Sequence, residues 1–564
     1  MDYPRPWLSS YADGVPEELE LPTGSLYDLV EESVRTYPDN VALQFFGRTT
    51  SYAELGEQIE RAAEGLRRLG VQKGDTVALV LPNSPQHVVA FYAVLRLGAI
   101  VVEHNPLYTP RELRHQFEDH GAHTVIAWNN VVATIQDFPK DLGVARVISV
   151  DIAEELPLAM RAMLRLPVAK ARESRAALTS KVSGTILWKD LLKTDRIEPR
   201  IVRPTADDVA ILQYTSGTTG YPKGATLTHL NLTSNAAQAR AWVPTVPRGT
   251  AVVYAVLPMF HAYGLTLCLT FAMSMGARLV LFPKFDPDLV LDVVKKHPAT
   301  FLPAVPPIYE RLMSRAKEKG VSLKGIQIAI SGAMPLQASV VEPWEALTGG
   351  YLVEGYGLSE ASPVLMANPV GPTRRAGTVG LPLPGTEARV VDPENPTVDR
   401  PAGEEGELIV RGPQVFSGYW KNPDATAAVF VESTDGGAPW FRTGDIVSID
   451  DAGFVRIVDR IKELIITGGF NVSPSEVEEA VRAYPGVAEA AVVGLPSSHS
   501  GEEVVAAVVM APGAKFDEAA IREQARSSLA AYKVPKQVIH VDELPKSLIG
   551  KVLRRKVRER LIKR

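Results

Sequence analysis

Residues 209–224 read VAILQYTSGTTGYPKG, an apolar run followed by a short segment of glycines, hydroxyl side chains and one lysine, Lys223. A strand that runs into such a segment is typical of a polyphosphate-binding loop, because glycines let backbone N–H groups converge on an anion and the lysine adds positive charge. A Walker A loop would place Ser or Thr directly after the lysine. Here Pro222 precedes Lys223 and Gly224 follows it, so the sequence disfavours an ordinary P-loop NTPase.

On both sides of this stretch the chain alternates short apolar runs with amphipathic segments. The runs at 76–82 and 99–106 predict buried strands, and the patterns at 52–69 and 85–97 predict helices. Such alternation favours parallel sheets covered by helices.

The character of the sequence changes twice further along. From about Gly403 onward, short β-like runs separated by turns predict a small β-barrel-like part. After residue 459 helices and strands alternate again, at 473–485, 488–496, 503–510, 517–531 and 538–541. We therefore expect an α/β fold with a large N-terminal domain at 1–459 and a smaller α+β C-terminal domain at 460–564.

Composition excludes several classes of protein. The 564 residues include 60 Lys and Arg against 65 Asp and Glu, and 46% are hydrophobic, which argues against a disordered chain and against a generic nucleic-acid binder. The single cysteine, Cys268, cannot form an intramolecular disulfide or a cysteine-based zinc site. The first residues lack an apolar signal region, so we expect a cytoplasmic protein.

Two kinds of segment raise the question of a membrane. Residues 251–277 contain no Asp, Glu, Lys or Arg, but Pro258, His261 and Gly264 interrupt them, so we expect a buried strand, a loop and a buried helix. Residues 158–185 and 546–564 are basic, and a solvated helical face explains both as well as a membrane role does. Because leucine and methionine mix with basic residues in the first, we expect peripheral membrane contact through residues 151–200.

Further motifs follow the phosphate-loop stretch in order along the chain. They are LPMFHAYG at 257–264, SGAMP at 331–335, EGYGLSE at 354–360, WFRTGD at 440–445, DRIKELIITGGFN at 459–471 and LPKSLIGK at 544–551. Together they resemble the signatures of the adenylate-forming enzymes, which include acyl-CoA synthetases, luciferases and nonribosomal adenylation domains. A narrower resemblance, carried by NPLYTPREL at 105–113, by EGYGLSE and by GFNVSP at 469–474, is to bacterial long-chain-fatty-acid–CoA ligases.

The resemblance implies a role for each motif residue. Thr215 and Glu360 would bind Mg²⁺, Tyr356 would stack on adenine, and Asp445 would bind the ribose hydroxyls with help from Arg460. The full set implied to bind ATP is Thr215, Ser216, Gly217, Thr218, Thr219, Gly220, Lys223, Gly332, Ala333, Gly355, Tyr356, Gly357, Ser359, Asp445 and Arg460. The residues implied to act in catalysis are Lys551, His261, Thr215 and Glu360.

The same resemblance implies a mobile C-terminal domain. Lys462 matches the hinge position, Gly468 and Gly469 match the segment that lines the coenzyme A channel, and Lys551 matches the lysine that reaches the reacting carboxylate and α-phosphate. Ser359 departs from the family, which usually has threonine there; serine keeps the hydroxyl and drops a methyl. Taken alone, His261 is better explained as a core histidine, whereas a core role is the weaker alternative for Tyr356.

The activity implied is ATP-dependent ligation of a long-chain fatty acid to coenzyme A through an acyl adenylate, with AMP and pyrophosphate as products. The expected partners are the fatty acid, ATP, coenzyme A and Mg²⁺, with no nucleic acid, and a homodimer is left open. Alternatives are a fatty acyl-AMP ligase, a medium-chain or aryl-CoA ligase, a non-catalytic lipid- or nucleotide-binding protein, and a membrane scaffold. The intact Lys223, Glu360, Asp445 and Lys551 argue against the last two.

Overall fold

The computed structural model describes residues 3–215, 222–467, 470–497, 501–547 and 550–563. The chain separates into two compact units. The larger comprises Leu8–Glu387 and Arg411–Phe430, and the smaller comprises Met1–Trp7, Ala388–Val410 and Val431–Arg564. The predicted boundary between residues 459 and 460 concerns which parts of the chain move, so it stays a prediction.

The larger unit contains two sheets whose central strands are parallel. In spatial order, the first consists of Leu381–Pro382, Val364–Ala367, Tyr351–Gly357, Ile328–Ser331, Phe301–Ala304, Val252–Ala255, Arg278–Leu281, Val41–Phe45 and Arg48–Ser51. The second consists of Gly418–Tyr419, Lys223–Thr228, Val209–Thr215, Ile100–Glu103, Thr76–Val80, Thr124–Trp128, Arg146–Val150 and Ile186–Leu187. Among the described residues, the antiparallel pairs of these sheets lie towards the edges, for example between Val209–Thr215 and Lys223–Thr228.

Helices cover and separate these sheets. Those of the larger unit are Leu26–Thr36, Tyr52–Arg68, Pro85–Arg96, Pro110–His120, Asn129–Gln136, Leu158–Leu164, Ala169–Leu178, Trp188–Leu191, His229–Trp242, Ala262–Gly264, the π-helical Leu265–Thr270, Phe271–Met275, Pro287–Val294, Pro306–Lys319, Ala338–Thr348 and Pro423–Ala427. Pro85–Arg96 is buried along its whole length and contacts strands of both sheets. A helix that is buried on all sides, with mostly apolar residues, belongs in such a core.

Local sequence explains where several helices begin. The Ser51 hydroxyl caps the helix Tyr52–Arg68 by accepting a hydrogen bond from the backbone N–H of Glu54, and the Glu54 carboxylate accepts one from the backbone N–H of Ser51. Such capping boxes satisfy two backbone donors that a helix leaves without partners. The predicted helices at 52–69 and 85–97 and the predicted strands at 76–82 and 99–106 are confirmed to within a few residues.

The apolar segment 251–277 forms the buried strand Val252–Ala255, a loop, and the short helical turns between Ala262 and Met275. The prediction made for it is therefore confirmed. Across the described ranges, no helix is long and apolar enough to cross a membrane.

The smaller unit also contains two sheets. One is formed by Glu387–Val391, Gly406–Arg411, Trp440–Ile449, Phe430–Val431 and Val455–Arg460, and the other by Phe470–Val472, Ile465–Thr467, Gly501–Met510, Val487–Ser497 and Gln537–His540. Its helices are Pro474–Arg482, Glu518–Arg526 and Arg554–Ile562. The helix and strand order predicted beyond residue 473 is confirmed, as is the α/β fold class.

Candidate functional site

The predicted phosphate loop connects two antiparallel strands of the larger unit. Thr215 ends the strand Val209–Thr215, Lys223 begins the strand Lys223–Thr228, and the two residues are opposite each other in the sheet. The predicted ATP ligands Ser216, Gly217, Thr218, Thr219 and Gly220 lie outside the described residues. The structure therefore fixes the two ends of the loop, with Thr215 and Lys223 paired across the two strands.

A short 3₁₀ turn brings the predicted metal ligand to these strands. The turn Ser359–Ala361 packs against both strands and carries Glu360. The hydroxyl of Tyr419 donates a hydrogen bond of 2.9 Å to Glu360 Oε1, and the Lys223 ammonium lies 5.2 Å from the centre of the Tyr419 ring. Tyr419 was missed in the sequence, where a Gly-Tyr pair on a two-residue strand carries no distinctive signal.

The predicted adenine motif lies on the strand Tyr351–Gly357, which turns back against Val364–Ala367. A Cβ atom at Gly357 would overlap the carbonyl oxygen of Pro363, so this turn requires glycine. Tyr356, between Gly355 and Gly357, is buried. Burial raises the pKa of Glu354, the first residue of the motif, to about 8.

The SGAMP loop follows the neighbouring parallel strand, Ile328–Ser331. Because Ser331 is level with Glu354 in the sheet, Gly332 and Ala333 emerge at the same edge as the adenine motif. A Cβ atom at Gly332 would lie 3.1 Å from the ring of Tyr263, and Ala333 has a left-handed backbone with a φ of 63°. The predicted nucleotide residues of both loops are thus brought to one edge of one sheet.

His261 caps the first turn of the helix that follows the same sheet, and its Nδ1 accepts a hydrogen bond from the Tyr263 backbone. Desolvation lowers the pKa of His261 to about 4, so the imidazole is neutral at pH 7. A neutral imidazole can orient a carboxylate by donating a hydrogen bond but supplies no full charge.

Two buried amides that sequence reasoning missed hold the loop that carries His261. Asn83 donates to the carbonyls of Ala255 and Leu257, at 3.0 and 2.7 Å, and accepts from the Met259 amide at 2.8 Å. The amide of Gln213, two residues before Thr215, donates to the Phe260 carbonyl at 3.1 Å. The loop is thereby tied to both sheets of the unit.

The smaller unit contains the remaining predicted residues. Asp445 and Arg460 are paired across the strands Trp440–Ile449 and Val455–Arg460, and Arg460 Nε lies 2.8 Å from Asp445 Oδ1. Desolvation and then the positive charge of Arg460 lower the pKa of Lys551. Lys551 follows Gly550, whose φ is 81°. The Lys551 carbonyl accepts a hydrogen bond from the Ser547 backbone, and the Lys551 backbone N–H donates one to the Ser547 hydroxyl.

For three predicted residues of this unit, the structure does not describe a position that would test their roles. Gly468 and Gly469 lie outside the described residues, and Lys462 is on the 3₁₀ turn Ile461–Glu463 with its side chain undescribed. Sequence reasoning also missed Arg554, which donates hydrogen bonds to Glu478, Ser475, Asp459 and Glu463.

The donors near the phosphate loop fit Mg²⁺. Glu360 supplies a carboxylate and Thr215 a hydroxyl, both hard oxygen ligands, on elements that pack together. Mg²⁺ is usually held by one or two carboxylates together with substrate phosphates, so a dedicated cluster of protein ligands is not required.

Comparison with known proteins identifies the family. Residues 30–420 match the AMP-binding enzyme family, and residues 476–551 match the AMP-binding enzyme C-terminal domain. The chain belongs to the AMP-binding enzyme family. The resemblance to adenylate-forming enzymes is therefore confirmed, and with it the prediction that the chain is an enzyme of this class.

Individual relatives of this AMP-binding enzyme match it over nearly its full length. It is similar to the long-chain-fatty-acid–CoA ligase of Bacillus subtilis (strain 168), with 38% identity over 99% of this chain and 98% of the relative. It is 39% identical to the ligase of the same name from Escherichia coli O6:H1, over 98% of each chain.

Solved structures of the family superpose on the AMP-binding enzyme. ATP-bound MatB from Rhodopseudomonas palustris has a TM-score of 0.78 and 34% identity, over 96% of this chain and 99% of that one. A Mycobacterium tuberculosis fatty acyl CoA synthetase has a TM-score of 0.72 and 28% identity, over 95% and 98% of the two chains.

Proposed function

We propose that this AMP-binding enzyme ligates a long-chain fatty acid to coenzyme A, using ATP and passing through an acyl adenylate. The observation that carries the proposal is the full-length similarity, at 38–39% identity, to long-chain-fatty-acid–CoA ligases of two distant bacteria. Four of the catalytic and ATP-binding residues implied by the family, namely Lys223, Glu360, Asp445 and Lys551, are present.

In the first half-reaction the fatty carboxylate attacks the α-phosphorus of ATP and pyrophosphate leaves. Glu360 and Thr215 would hold Mg²⁺, which neutralises charge on the phosphates when bound. Lys223 would bind the phosphates next to them. No covalent nucleophile of the protein is needed, because positioning and charge stabilisation are sufficient for phosphoryl-type transfer. The buried thiol of Cys268, whose pKa burial raises, fits a structural residue.

Two further groups would act on the carboxylate. The neutral His261 would orient the carboxylate by donating a hydrogen bond. Because the pKa of His261 is low, the imidazole carries no charge at neutral pH and forms no ion pair with the carboxylate. Lys551 would stabilise the charge that develops as one anion approaches another. In addition to desolvation, the positive charge of Arg460 repels the Lys551 ammonium and lowers its pKa. A bound substrate anion would offset this repulsion between the two cations. Asp445 would accept from the ribose hydroxyls with Arg460 beside it.

We propose, as the family implies, that residues 460–564 rotate about Lys462 between the two half-reactions. In the second, the coenzyme A thiol attacks the acyl adenylate carbonyl and AMP leaves. Gly468 and Gly469 would line the coenzyme A channel. A closed site also protects the adenylate from hydrolysis.

We further propose that the enzyme contacts the cytoplasmic face of a membrane through residues 151–200. The helices Leu158–Leu164 and Ala169–Leu178 have no buried residue. Leu158 is 80% exposed, and Met163, Leu166 and Val168 are 63, 51 and 52% exposed. Arg161, Arg165, Lys170, Arg172 and Arg175 accompany them. Exposed apolar side chains with basic neighbours suit the surface of an anionic bilayer.

Sedimentation with vesicles tests this contact. Leu158→Ser combined with Leu166→Ser should abolish co-sedimentation with phosphatidylglycerol vesicles. Leu347→Ser is the matched control, because Leu347 is 48% exposed on a different helix. Equal binding of both variants would contradict the proposed contact.

The activity is tested by mass spectrometry of products from ATP, Mg²⁺ and carboxylates of two to twenty carbons, with and without coenzyme A. Acyl-CoA and AMP from long-chain acids support the proposal. Acyl adenylate that accumulates despite coenzyme A would identify an acyl-AMP ligase, and preference for short or aromatic acids would identify a medium-chain or aryl ligase. No AMP from any acid would refute the activity.

A further inference from the structure

Tyr419 joins two residues that the proposed function places on the ATP phosphates. Its strand, Gly418–Tyr419, pairs antiparallel with Lys223–Thr228, with Tyr419 opposite Ala225. Its hydroxyl reaches Glu360 Oε1, and its ring lies beneath the Lys223 ammonium. The side chain therefore contacts the predicted metal ligand with one end and the predicted phosphate ligand with its face.

We infer that Tyr419 is a positioning residue that orients Glu360 towards the metal and Lys223 towards the phosphates. The inference rests on the proposed function, because it assumes that Glu360 binds Mg²⁺ and Lys223 binds ATP. Tyr419 itself touches neither the metal nor the nucleotide in this assignment.

The hydroxyl has a defined effect on the carboxylate. The Tyr419 hydroxyl donates its hydrogen bond to Glu360 Oε1 at 2.9 Å. A donor on Oε1 restricts the rotation of the carboxylate, and so its orientation towards a metal. Partners that orient a metal ligand in this way commonly contribute about 10- to 100-fold to metal affinity.

The ring has a separate effect on the lysine. An ammonium on a long flexible side chain samples many positions, and the negative face of an aromatic ring restricts it. The backbone N–H of Trp420, the next residue, donates to the Gly224 carbonyl at 2.8 Å. This bond fixes the position of the Tyr419 backbone, and so of the Tyr419 ring, relative to Lys223. Tyr419 is thus attached to the strand that carries the lysine.

Two substitutions separate these effects. Tyr419→Phe keeps the ring and removes only the hydroxyl, so it should weaken metal binding about 10-fold, the lower end of the range for such partners. Tyr419→Leu removes both, and should in addition weaken nucleotide binding at saturating metal by about 2- to 5-fold. Tyr11→Phe is the matched control, because Tyr11 is also half-buried and donates its hydroxyl to a carbonyl, that of Pro382, at 2.7 Å.

The measurement is equilibrium binding of Mn²⁺, followed by electron paramagnetic resonance in the presence of α,β-methylene-ATP, which cannot transfer AMP. Circular dichroism and melting temperature check that each variant is folded. An increase of fivefold or more in the Mn²⁺ dissociation constant of Tyr419→Phe, with Tyr11→Phe unchanged, supports the inference. A smaller change overturns the orienting role of the hydroxyl.

The affinity for α,β-methylene-ATP is measured on the same samples at saturating Mn²⁺. Weaker binding of the analogue by Tyr419→Leu than by Tyr419→Phe supports the role of the ring, and equal or tighter binding overturns it. The wild-type protein separates this inference from the proposed function. If the wild type binds no Mn²⁺ with the analogue, the assignment of the metal site fails; if it binds and Tyr419→Phe binds equally well, only the role of Tyr419 fails.

Discussion

Replacing Arg554 by methionine should loosen the C-terminal part of the smaller unit, because this arginine connects three of its segments. The guanidinium makes two hydrogen bonds of 2.8 Å to the carboxylate of Glu478 and one of 2.7 Å to Ser475 Oγ. It also contacts Asp459, at 3.4 Å, and Glu463. The segment around the predicted hinge and the helices Pro474–Arg482 and Arg554–Ile562 are thereby held by one side chain.

The cost of the substitution follows from burial. The side chain of Arg554 is 17% exposed, that of Glu478 10% and that of Asp459 2%. Burial alone would lower the pKa of Arg554, but its hydrogen bonds with Glu478 and the surrounding carboxylates raise it. Removing one partner of a buried ion pair leaves uncompensated charge and costs about 3–5 kcal/mol. Because about 1.4 kcal/mol is a factor of ten, local opening should become roughly 10²- to 10³-fold more frequent.

Hydrogen–deuterium exchange with mass spectrometry measures this directly. Peptides from Pro474–Arg482 in Arg554→Met should exchange faster by that factor, while peptides from the larger unit should not change. Arg555→Met is the matched control, because Arg555 forms an exposed pair with Glu559, with 63% and 53% of the side chains exposed. Such pairs contribute at most about 1 kcal/mol.

A third variant, Arg554→Lys, keeps the charge but cannot form the bidentate bond to Glu478, and we expect an intermediate result. Exchange in Arg554→Met that is no faster than in Arg555→Met would refute the reasoning from burial.

Three further predictions concern the site and the core. Lys551→Ala should lower the rate of adenylate formation by about 10²- to 10³-fold, while thioester formation from supplied acyl-AMP survives; equal loss of both would contradict alternation of the C-terminal domain. Asn83→Leu should lower kcat/KM for ATP–pyrophosphate exchange by roughly 10²-fold, because the loop of His261 loses three hydrogen bonds and its alignment; an unchanged rate would show that the loop keeps its position without Asn83. Burial lowers the pKa of His229 from 6.5 to about 4, so the unfolded chain takes up the proton first and stability is lost as the pH falls from about 6.5 towards 4. Urea unfolding at pH 7 and pH 5 should show that this loss is roughly 2 kcal/mol smaller in His229→Gln than in the wild type, and equal losses would exclude the histidine as the cause.

The elements of the fold could be predicted because their signals are local. The strand Thr76–Val80 is buried almost throughout and appears in the sequence as a continuous apolar run. The helix Tyr52–Arg68 begins where Ser51 and Glu54 form a capping box, a pattern that spans four residues.

The order of the strands could not be predicted. Val41–Phe45 lies beside Arg278–Leu281, with Leu43 next to Leu279. The alternation of apolar and polar residues along a strand indicates which of its faces is buried. It contains no information about a partner strand more than two hundred residues away.

The same distinction explains which parts of the candidate site were visible. Glu360, Asp445 and Lys551 stand in motifs that resemble signatures of the family, so their neighbours in the sequence predict their roles. From elsewhere in the chain, Asn83 holds the loop of His261 and Tyr419 contacts Glu360. The partners of Asn83 are 172 to 176 residues away, and Glu360 is 59 residues from Tyr419.

A motif therefore specifies which chemical groups are present, whereas distant hydrogen bonds decide where those groups point. Preorganised geometry is a large part of catalysis in a site without a covalent nucleophile. Substitution of such distant supports should then lower the rate of adenylate formation while the motif residues themselves stay intact. A sequence comparison restricted to the motifs would count such variants as functional, and only the contacts of Asn83 and Tyr419 in the folded chain identify them as impaired.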